Sequence, residues 1–321
     1  MTNPLAWGVD KALEATVVGS FSRGGYAARS RLESWIDPPS LAGRRVLITG
    51  ATSGIGLAAA TRLARLGADL TIVARDVERA TRCVEEIRAR STNERVDFLL
   101  GDTSDLVAMR RVADEVAQRG DLDVLIHNAG AITATRTLSA QGFEMTVAAQ
   151  LLGPFLLTTL LLPRLRLAHP GRVLTVASGG LYSQRFDIDH VELSTSEYDG
   201  VRAYATVKRA QLVLAHEWVR RVASSEVVFH TMHPGWTDTP GLAASLPSFY
   251  RLTHSLLRTP DEGADTLVWL ASAREATRSS GRFWLDRRPR SEHKVPWTRS
   301  RDADADARAL WDWCVERTTG Y

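Results

Sequence analysis

Tyr204 and Lys208 stand four residues apart in Tyr204-Ala-Thr-Val-Lys208. On a helix that spacing puts both on one face, so the ammonium stays beside the phenol. A free phenol has a pKa of about 10 and is a poor proton exchanger at neutral pH. A nearby positive charge stabilises the phenolate, and lowering a pKa from 10 to 9 takes about 1.4 kcal/mol. Two close charges in a dry cleft can supply a few kcal/mol. Tyr204 would then exchange a proton with a carbonyl or alcohol oxygen. Ser178, in Ala177-Ser178-Gly179-Gly180, offers a hydroxyl to the same oxygen. Each residue also has a plainer reading: a surface-helix pair for Tyr204 and Lys208, a strand-end turn for Ser178. All three follow a glycine-rich turn, and that makes three coincidences a poor explanation.

The turn lies in residues 46–56, Val-Leu-Ile-Thr-Gly-Ala-Thr-Ser-Gly-Ile-Gly. A β-branched run enters three glycines, Gly50, Gly54 and Gly56, and an alanine-rich helical pattern leaves them. Strand, tight turn and helix N-terminus in that order make a phosphate pocket, with Thr52, Ser53 and Ile55 between the glycines. The alternative is an ordinary strand-to-helix turn. Ligands of open parallel sheets lie beyond the carboxyl ends of the strands. The second expected strand ends in Ala74-Arg75, where an acid would take both ribose hydroxyls of NAD. Arg75 instead suits a 2′-phosphate, so NADP(H) is expected over NAD(H). After the third strand, Asp102 and Thr103 are placed for the adenine, or Asp102 caps the next helix. Asn128-Ala129-Gly130 would let backbone pass close to the cofactor, with Asn128 holding the turn. Pro234-Gly235 makes a turn beside the nicotinamide position. There Thr237, Thr239 or the Trp236 N–H would hold the carboxamide or pyrophosphate. Hydride would move to or from the nicotinamide as Tyr204 moves the proton.

These positions require strands and helices in alternation, and the pattern supplies them. Strands are expected at 45–49, 69–74, 96–100, 124–128, 172–177 and 227–233, with a shorter one at 281–284. Helices are expected at 55–67, 76–90, 104–119, 139–167, 202–223 and 260–273, and a last one at 304–316. The fold class is α/β: a Rossmann-type, doubly wound, seven-stranded parallel sheet with helices on both faces, in a single domain. Residues 1–40 form an N-terminal helical extension, 41–285 the catalytic domain and 286–321 a C-terminal arm and helix. Leu5, Val9, Leu13 and Val17 recur at helical spacing in the extension. A helix lying on the domain surface is the reading preferred there, ahead of a weak membrane-surface or partner helix. Residues 238–258 carry Leu242, Leu246, Phe249, Tyr250, Leu252 and Leu256 and read as a mobile apolar cover over a substrate.

Composition excludes several classes. Forty Lys and Arg against 37 Asp and Glu leave a net charge of +3, with no basic block interleaved with aromatics, which argues against nucleic acid. Cys83 and Cys314 lie far apart without metal-ligand spacing. No metal and no disulfide framework are expected, and a reducing, cytoplasmic location is. The longest apolar stretch, 151–167, is interrupted by Pro154, Pro163 and two arginines, which argues against a membrane span. Peripheral membrane contact through residues 1–40 stays open. A homo-oligomer would form on the outer faces of helices 139–167 and 202–223.

Together, Thr49-Gly50-x-x-x-Gly54-x-Gly56, Asn128-Ala129-Gly130, Ser178, Tyr204-x-x-x-Lys208 and Pro234-Gly235-x-x-x-Thr239 resemble the short-chain dehydrogenase/reductase family. Within it the chain is similar to the retinol-dehydrogenase-like reductases. This rests on Val-Ala-Ser-Gly-Gly at 176–180 and Met-His-Pro-Gly-Trp-Thr-Asp-Thr-Pro-Gly at 232–241, among others. The resemblance implies Ser178 as oxygen-polarising donor, Tyr204 as acid/base and Lys208 as its activator and ribose ligand. It also implies a fourth catalytic residue, an asparagine that holds a water in the proton path from the lysine. Here Gln150-Leu-Leu-Gly153 stands in that place, one methylene longer. The stretch between Ser178 and Tyr204 is longer than the family's usual one, and Phe186, Ile188 and Tyr198 in it are expected to shape the substrate pocket. The expected activity is interconversion of a hydrophobic carbonyl and its alcohol. The alternative is an NADP(H)-binding sensor or scaffold whose catalysis Gln150 impairs.

Overall fold

Short aliphatic and β-branched runs become strands, and runs with apolar residues three and four apart become helices. The computed structural model describes residues 4–321, so residues 1–3 of the expected extension lie outside the described residues. Three short helices come first: α1 (Pro4–Glu14), α2 (Val17–Phe21) and α3 (Arg23–Leu32). Then follow β1 (Arg45–Thr49), α4 (Gly54–Arg65), β2 (Asp69–Ala74), α5 (Val77–Ser91), β3 (Val96–Leu100), α6 (Leu106–Gln118) and β4 (Val124–His127). A continuous rod contains α7 (Met145–Val147), a π-helical turn (Ala148–Leu152) and α8 (Gly153–Leu165). After it come β5 (Gly171–Val176), α9 (Gly200–Arg221), β6 (Val227–Met232), α10 (Pro240–Ser245) and α11 (Pro247–Thr253). The chain ends with α12 (Pro260–Ser272), β7 (Arg282–Leu285), β8 (Arg288–Pro289) and α13 (Ala303–Thr318).

The strands form one sheet in the order β3-β2-β1-β4-β5-β6-β7-β8. Seven strands are parallel, as expected; the eighth pairs antiparallel with β7. It exists because the chain doubles back through Asp286 and Arg287, at φ 55° and 54°. Two consecutive residues in that region suit a tight hairpin. One face of the sheet carries α4, α5 and α12, packed through residues such as Ala59, Leu63, Ile87 and Leu267. The other carries α6, α8, α9 and α13, packed through Met109, Leu157, Trp218 and Leu310. The apolar rod Met145–Arg166 is long enough to cross a membrane by length and composition, yet two thirds of its apolar window is buried inside this core. Helix α13 lies across α9, with the Trp311 ring 4.6 Å from Trp218 and 5.0 Å from Phe155. The chain's own C-terminal helix thus covers part of the surface on which a homo-oligomer is expected.

The segment before β1 departs most from expectation. It is three helices rather than one, and the Leu5–Val17 stripe is not its buried face: Leu5 and Val17 are exposed. Besides Ala6 and Phe21, the side chains its helices bury are polar or charged. Arg29, 1% exposed, donates to Asp10 Oδ1 at 2.7 Å and to Asp286 Oδ2 at 2.6 Å. Arg290 donates to Asp10 Oδ2 at 2.8 Å. These ions are viable in the interior because each has a partner of opposite charge and further hydrogen bonds. Burial pushes the Asp10 carboxyl up, but Arg290 and Arg29 outweigh it and hold it at about 2. A free aspartate titrates at about 3.9, so this stabilisation is present above about pH 4 and is lost as pH falls towards 2. Replacing Asp10→Asn should lower the unfolding free energy by about 2 kcal/mol at pH 7 and by little at pH 2. Denaturant midpoints of the two proteins that run parallel across that range would contradict the assignment.

Candidate active site

The order of the sheet reverses between β1 and β4, and the crevice there is where such sheets take ligands. The Asn128 side chain closes the floor of the crevice, donating to Thr49 O at 3.2 Å and Gly50 O at 2.8 Å. The backbone N–H groups of Asn128 and Ala129 each donate to Thr49 Oγ1 at 3.2 Å. Backbones meet so closely here that a Cβ on Gly50, at φ 69°, would stand 2.6 Å from Ala129 Cα. One on Gly56 would land on the Gly50 carbonyl oxygen. Ser53 precedes α4 without a side-chain hydrogen bond to it, which leaves the first-turn amides for an anion. Glycine cradle and open helix end fit the pyrophosphate of a dinucleotide. Thr52, Gly54 and Ile55 are partly exposed along the same turn.

Arg75 stands at the end of β2 with its side chain 77% exposed, 3.6 Å from the Asp102 carboxylate. Asp102 does not cap α6. It accepts from Ser104 N at 2.9 Å and Ser104 Oγ at 2.8 Å, while Asp105 caps the helix through Val107 N and Ala108 N. Thr103 turns its carbonyl towards Gly153 at the start of α8. On the opposite side Thr239 caps α10 and lays its methyl 3.1 Å from where a Gly54 Cβ would be. Thr237 is buried and donates to Pro234 O at 3.2 Å. That bond braces the 234–239 loop from within.

Ser178, Tyr204 and Lys208 come together. Ser178 ends the strand region of β5 and accepts from Gly180 N at 3.2 Å. It is close enough to the Tyr204 hydroxyl to favour the phenolate. Lys208, one helical turn further along α9, is 2% exposed and donates to Val176 O at 2.8 Å. Its Nζ is 5.3 Å from the Tyr204 ring centre. Burial pushes the Tyr204 phenol above its ordinary value, with Ser178 pulling the other way. Burial lowers the Lys208 ammonium itself to about 7.

Gln150 occupies the π-helical turn, a feature frequent at functional sites. Its Nε2 donates to Ala131 O at 2.8 Å. Its Oε1 is buried without a hydrogen-bond partner and faces the same Gly130 position as the Lys208 ammonium: a Cβ there would be 2.7 Å from the first and 3.5 Å from the second. The main-chain oxygen of Gln150 accepts from Gln211 Nε2 at 2.6 Å. Gln211 belongs to no motif, and the one signal for it in the sequence is its place three residues beyond Lys208 on the same helix face.

Two expectations about the walls need correction. Phe186 joins the lower core with Ile188 packed on it, because the 179–201 loop tucks its apolar residues under α9. Tyr198 instead donates to Glu144 Oε1 at 3.1 Å and braces the segment after β4. In the cover, Phe249 packs on Trp236 with ring centres 5.2 Å apart, and Ser245 reaches Ile132 O across the crevice at 3.5 Å. Leu252 and Leu256 point outward, 83% and 40% exposed.

The family model of the short chain dehydrogenases matches residues 44–248. The chain belongs to that family. It is 38% identical over 269 residues to dehydrogenase/reductase SDR family member 12 from Bos taurus, covering 84% of each chain. It is 33% identical over 305 residues to retinol dehydrogenase 14 from Homo sapiens, covering 88% of each. A short chain dehydrogenase from Burkholderia cenocepacia J2315, solved in complex with NADP, superimposes with a TM-score of 0.61 at 26% identity. That match covers 76% of this chain and 96% of the other.

Membership makes this short chain dehydrogenase an oxidoreductase of nicotinamide-cofactor type, and it makes the state of Lys208 a measurable quantity. The folded value of about 7 lies below the ordinary lysine value of 10.5. Between them the unfolded chain holds a proton that the folded chain has released, so stability gains as pH rises. Without cofactor, the stability difference between the protein and Lys208→Met should grow in favour of the protein from pH 7 to pH 9. A difference that stays flat in denaturant titrations at those pH values would mean that the ammonium is not desolvated.

Proposed function

We propose that the chain is an NADP(H)-dependent enzyme that interconverts a hydrophobic aldehyde or ketone and its alcohol. The observation that carries this reading is the buried Lys208 ammonium 5.3 Å from the Tyr204 ring centre, beside Ser178 at the end of β5. In reduction, Tyr204 gives its phenolic proton to the substrate oxygen, and Ser178 donates a hydrogen bond to the same oxygen. The bound nicotinamide supplies the hydride in that direction and accepts it in the other. Lys208 stabilises the phenolate that the proton leaves behind, and burial keeps water from screening that charge. The Tyr204 proton is restored from solvent by way of Lys208 and Gln150, whose free Oε1 lies on the Lys208 side of Gly130.

Several residues are assigned to the cofactor. The pyrophosphate rests on the turn of Gly50, Thr52, Ser53, Gly54, Ile55 and Gly56. Asp102 and Thr103 flank the adenine. Asn128, Ala129 and Gly130 line the ribose side, with Tyr204 and Lys208 opposite. Pro234, Gly235, Trp236, Thr237 and Thr239 frame the nicotinamide end. Arg75, exposed at the end of β2, favours a 2′-phosphate, in keeping with the NADP complex of the Burkholderia relative. Trp236, Phe249, Leu242 and Leu246 make an apolar rim, which agrees with a relative named for retinol. Both cysteines are free and buried, in keeping with a cytoplasmic location.

Screening purified protein with NADPH and NADH against aldehydes and ketones of graded size tests the reading directly. Tyr204→Phe should cut kcat/KM by about 10²–10⁴-fold with NADPH binding kept. Binding of NADPH with no turnover of any carbonyl would favour the sensor or scaffold. Arg75→Ala should weaken NADPH about tenfold more than NADH, and equal losses by calorimetry would remove the 2′-phosphate assignment.

A further inference from the structure

The segment before β1 reaches the carboxyl ends of β6 and β7, the side of the sheet where ligands bind. Phe21, at the end of α2, is 3% exposed. Its carbonyl accepts from Trp236 N at 2.8 Å, so the segment is bonded directly to the 234–239 loop. Its ring stands against His233, ring centres 4.3 Å apart and planes at 88°. His233 Nδ1 accepts from Gly235 N at 3.3 Å, which puts the ring hydrogen on Nε2, and Nε2 has no hydrogen-bond partner. The same Phe21 ring also closes on the turn after Ser178: a Cβ on Gly179 would be 2.9 Å from Phe21 Cε2 and 3.0 Å from His233 Nε2. One side chain therefore supports both turns of the candidate site.

Arg258 locks this arrangement from beneath. It is 1% exposed. Its Nε donates to Phe21 O at 3.0 Å and its Nη2 to Ser20 O at 3.0 Å. Its two Nη atoms grip the Asp286 carboxylate at 2.6 and 2.9 Å. Its backbone N–H donates to Trp236 O at 2.7 Å, and Asp238 N donates to its carbonyl at 2.8 Å. Arg29 holds the other side of Asp286 and also donates to Ser20 O at 2.9 Å. A planar fork with this many aligned donors is not replaceable by an ammonium.

We propose that residues 20–29 form a strap that fixes the 234–239 loop against the Ser178 turn, with Phe21 and Arg258 as positioning residues for cofactor and substrate. This rests on the reading of 234–239 as the loop at the nicotinamide end. A strap of this kind acts through geometry, and misplacement of a reacting group by about 1 Å costs about 10²-fold in rate.

The test compares Phe21→Ala, Phe21→Leu and Arg258→Lys with Leu310→Ala, a substitution at a fully buried core position in α13. Three quantities are read: melting temperature, hydrogen exchange at the Trp236 amide without cofactor, and NADPH affinity by tryptophan fluorescence. Phe21→Ala should raise the NADPH Kd about tenfold and speed exchange at Trp236. Phe21→Leu should fall between it and the parent, and Arg258→Lys should follow Phe21→Ala. Leu310→Ala should leave both within about twofold at a similar loss of melting temperature. Where a substrate turns over, KM for NADPH should rise more than kcat falls. If Phe21→Ala does not fold, Phe21→Leu and Arg258→Lys decide. Strap variants that behave as Leu310→Ala at matched stability overturn the proposal. A parent protein that binds no NADPH overturns the cofactor reading instead, and exchange at Trp236 then still judges the strap.

Discussion

Lys208 is an ammonium that burial opposes, and the fold sets the Val176 carbonyl against it. On the proposed reading, the chemistry of the crevice depends on keeping that charge where water cannot reach it. The carbonyl belongs to the last residue of β5. The ammonium is held in place because α9 is fixed along its length, with Arg209, Gln211 and Glu217 buried as well as its apolar face. The π-helical turn brings Gln150 to the same spot, and the Gln211 amide spans the gap between the two helices. The core on that face of the sheet is thus the support of one poorly solvated charge, which gains most from any anion or phenolate placed beside it.

The crevice floor shows why a parallel sheet suits this task. Thr49 and Asn128 bind each other's backbone where the strand order reverses, so the glycine turn is held by its neighbour across the switch point. A rigid floor lets the moving parts sit above it. The short helices α10 and α11 bridge from the β6 side to Ile132 on the β4 side, and few of their residues are buried. Weakly buried elements over a rigid floor open at small cost.

Much of this is legible from residue spacing. The strands, the glycine turn and the Tyr204–Lys208 pair are local features, readable within a few residues. Phe186 escapes such a reading because its place depends on how the 179–201 loop folds under α9. Gln150 can be found, but the π-helical turn around it cannot, since a one-residue change in hydrogen bonding leaves no compositional mark. Asp286, Arg287 and the eighth strand lie in a stretch of charged residues that reads as surface. Arg258 and Phe21 are invisible for a deeper reason. Their meaning lies in partners hundreds of residues away, and a buried arginine is indistinguishable in sequence from the many solvated ones.

That distance has a consequence for how the molecule is made. Arg29 and Asp286 are 257 positions apart, and Asp10 and Arg290 are 280 apart. During synthesis the glycine turn and the Tyr204 helix leave the ribosome while the partners of the first helices are still to be joined. Until residue 290 emerges, Arg29 and Asp10 have each other but lack Asp286 and Arg290, so their charge network is incomplete. The nascent chain therefore has its phosphate cradle long before the opposite end of the crevice is complete. A chain stopped short of its last stretch would be left with an unfinished site, its Arg29 and Arg258 without the Asp286 carboxylate they share.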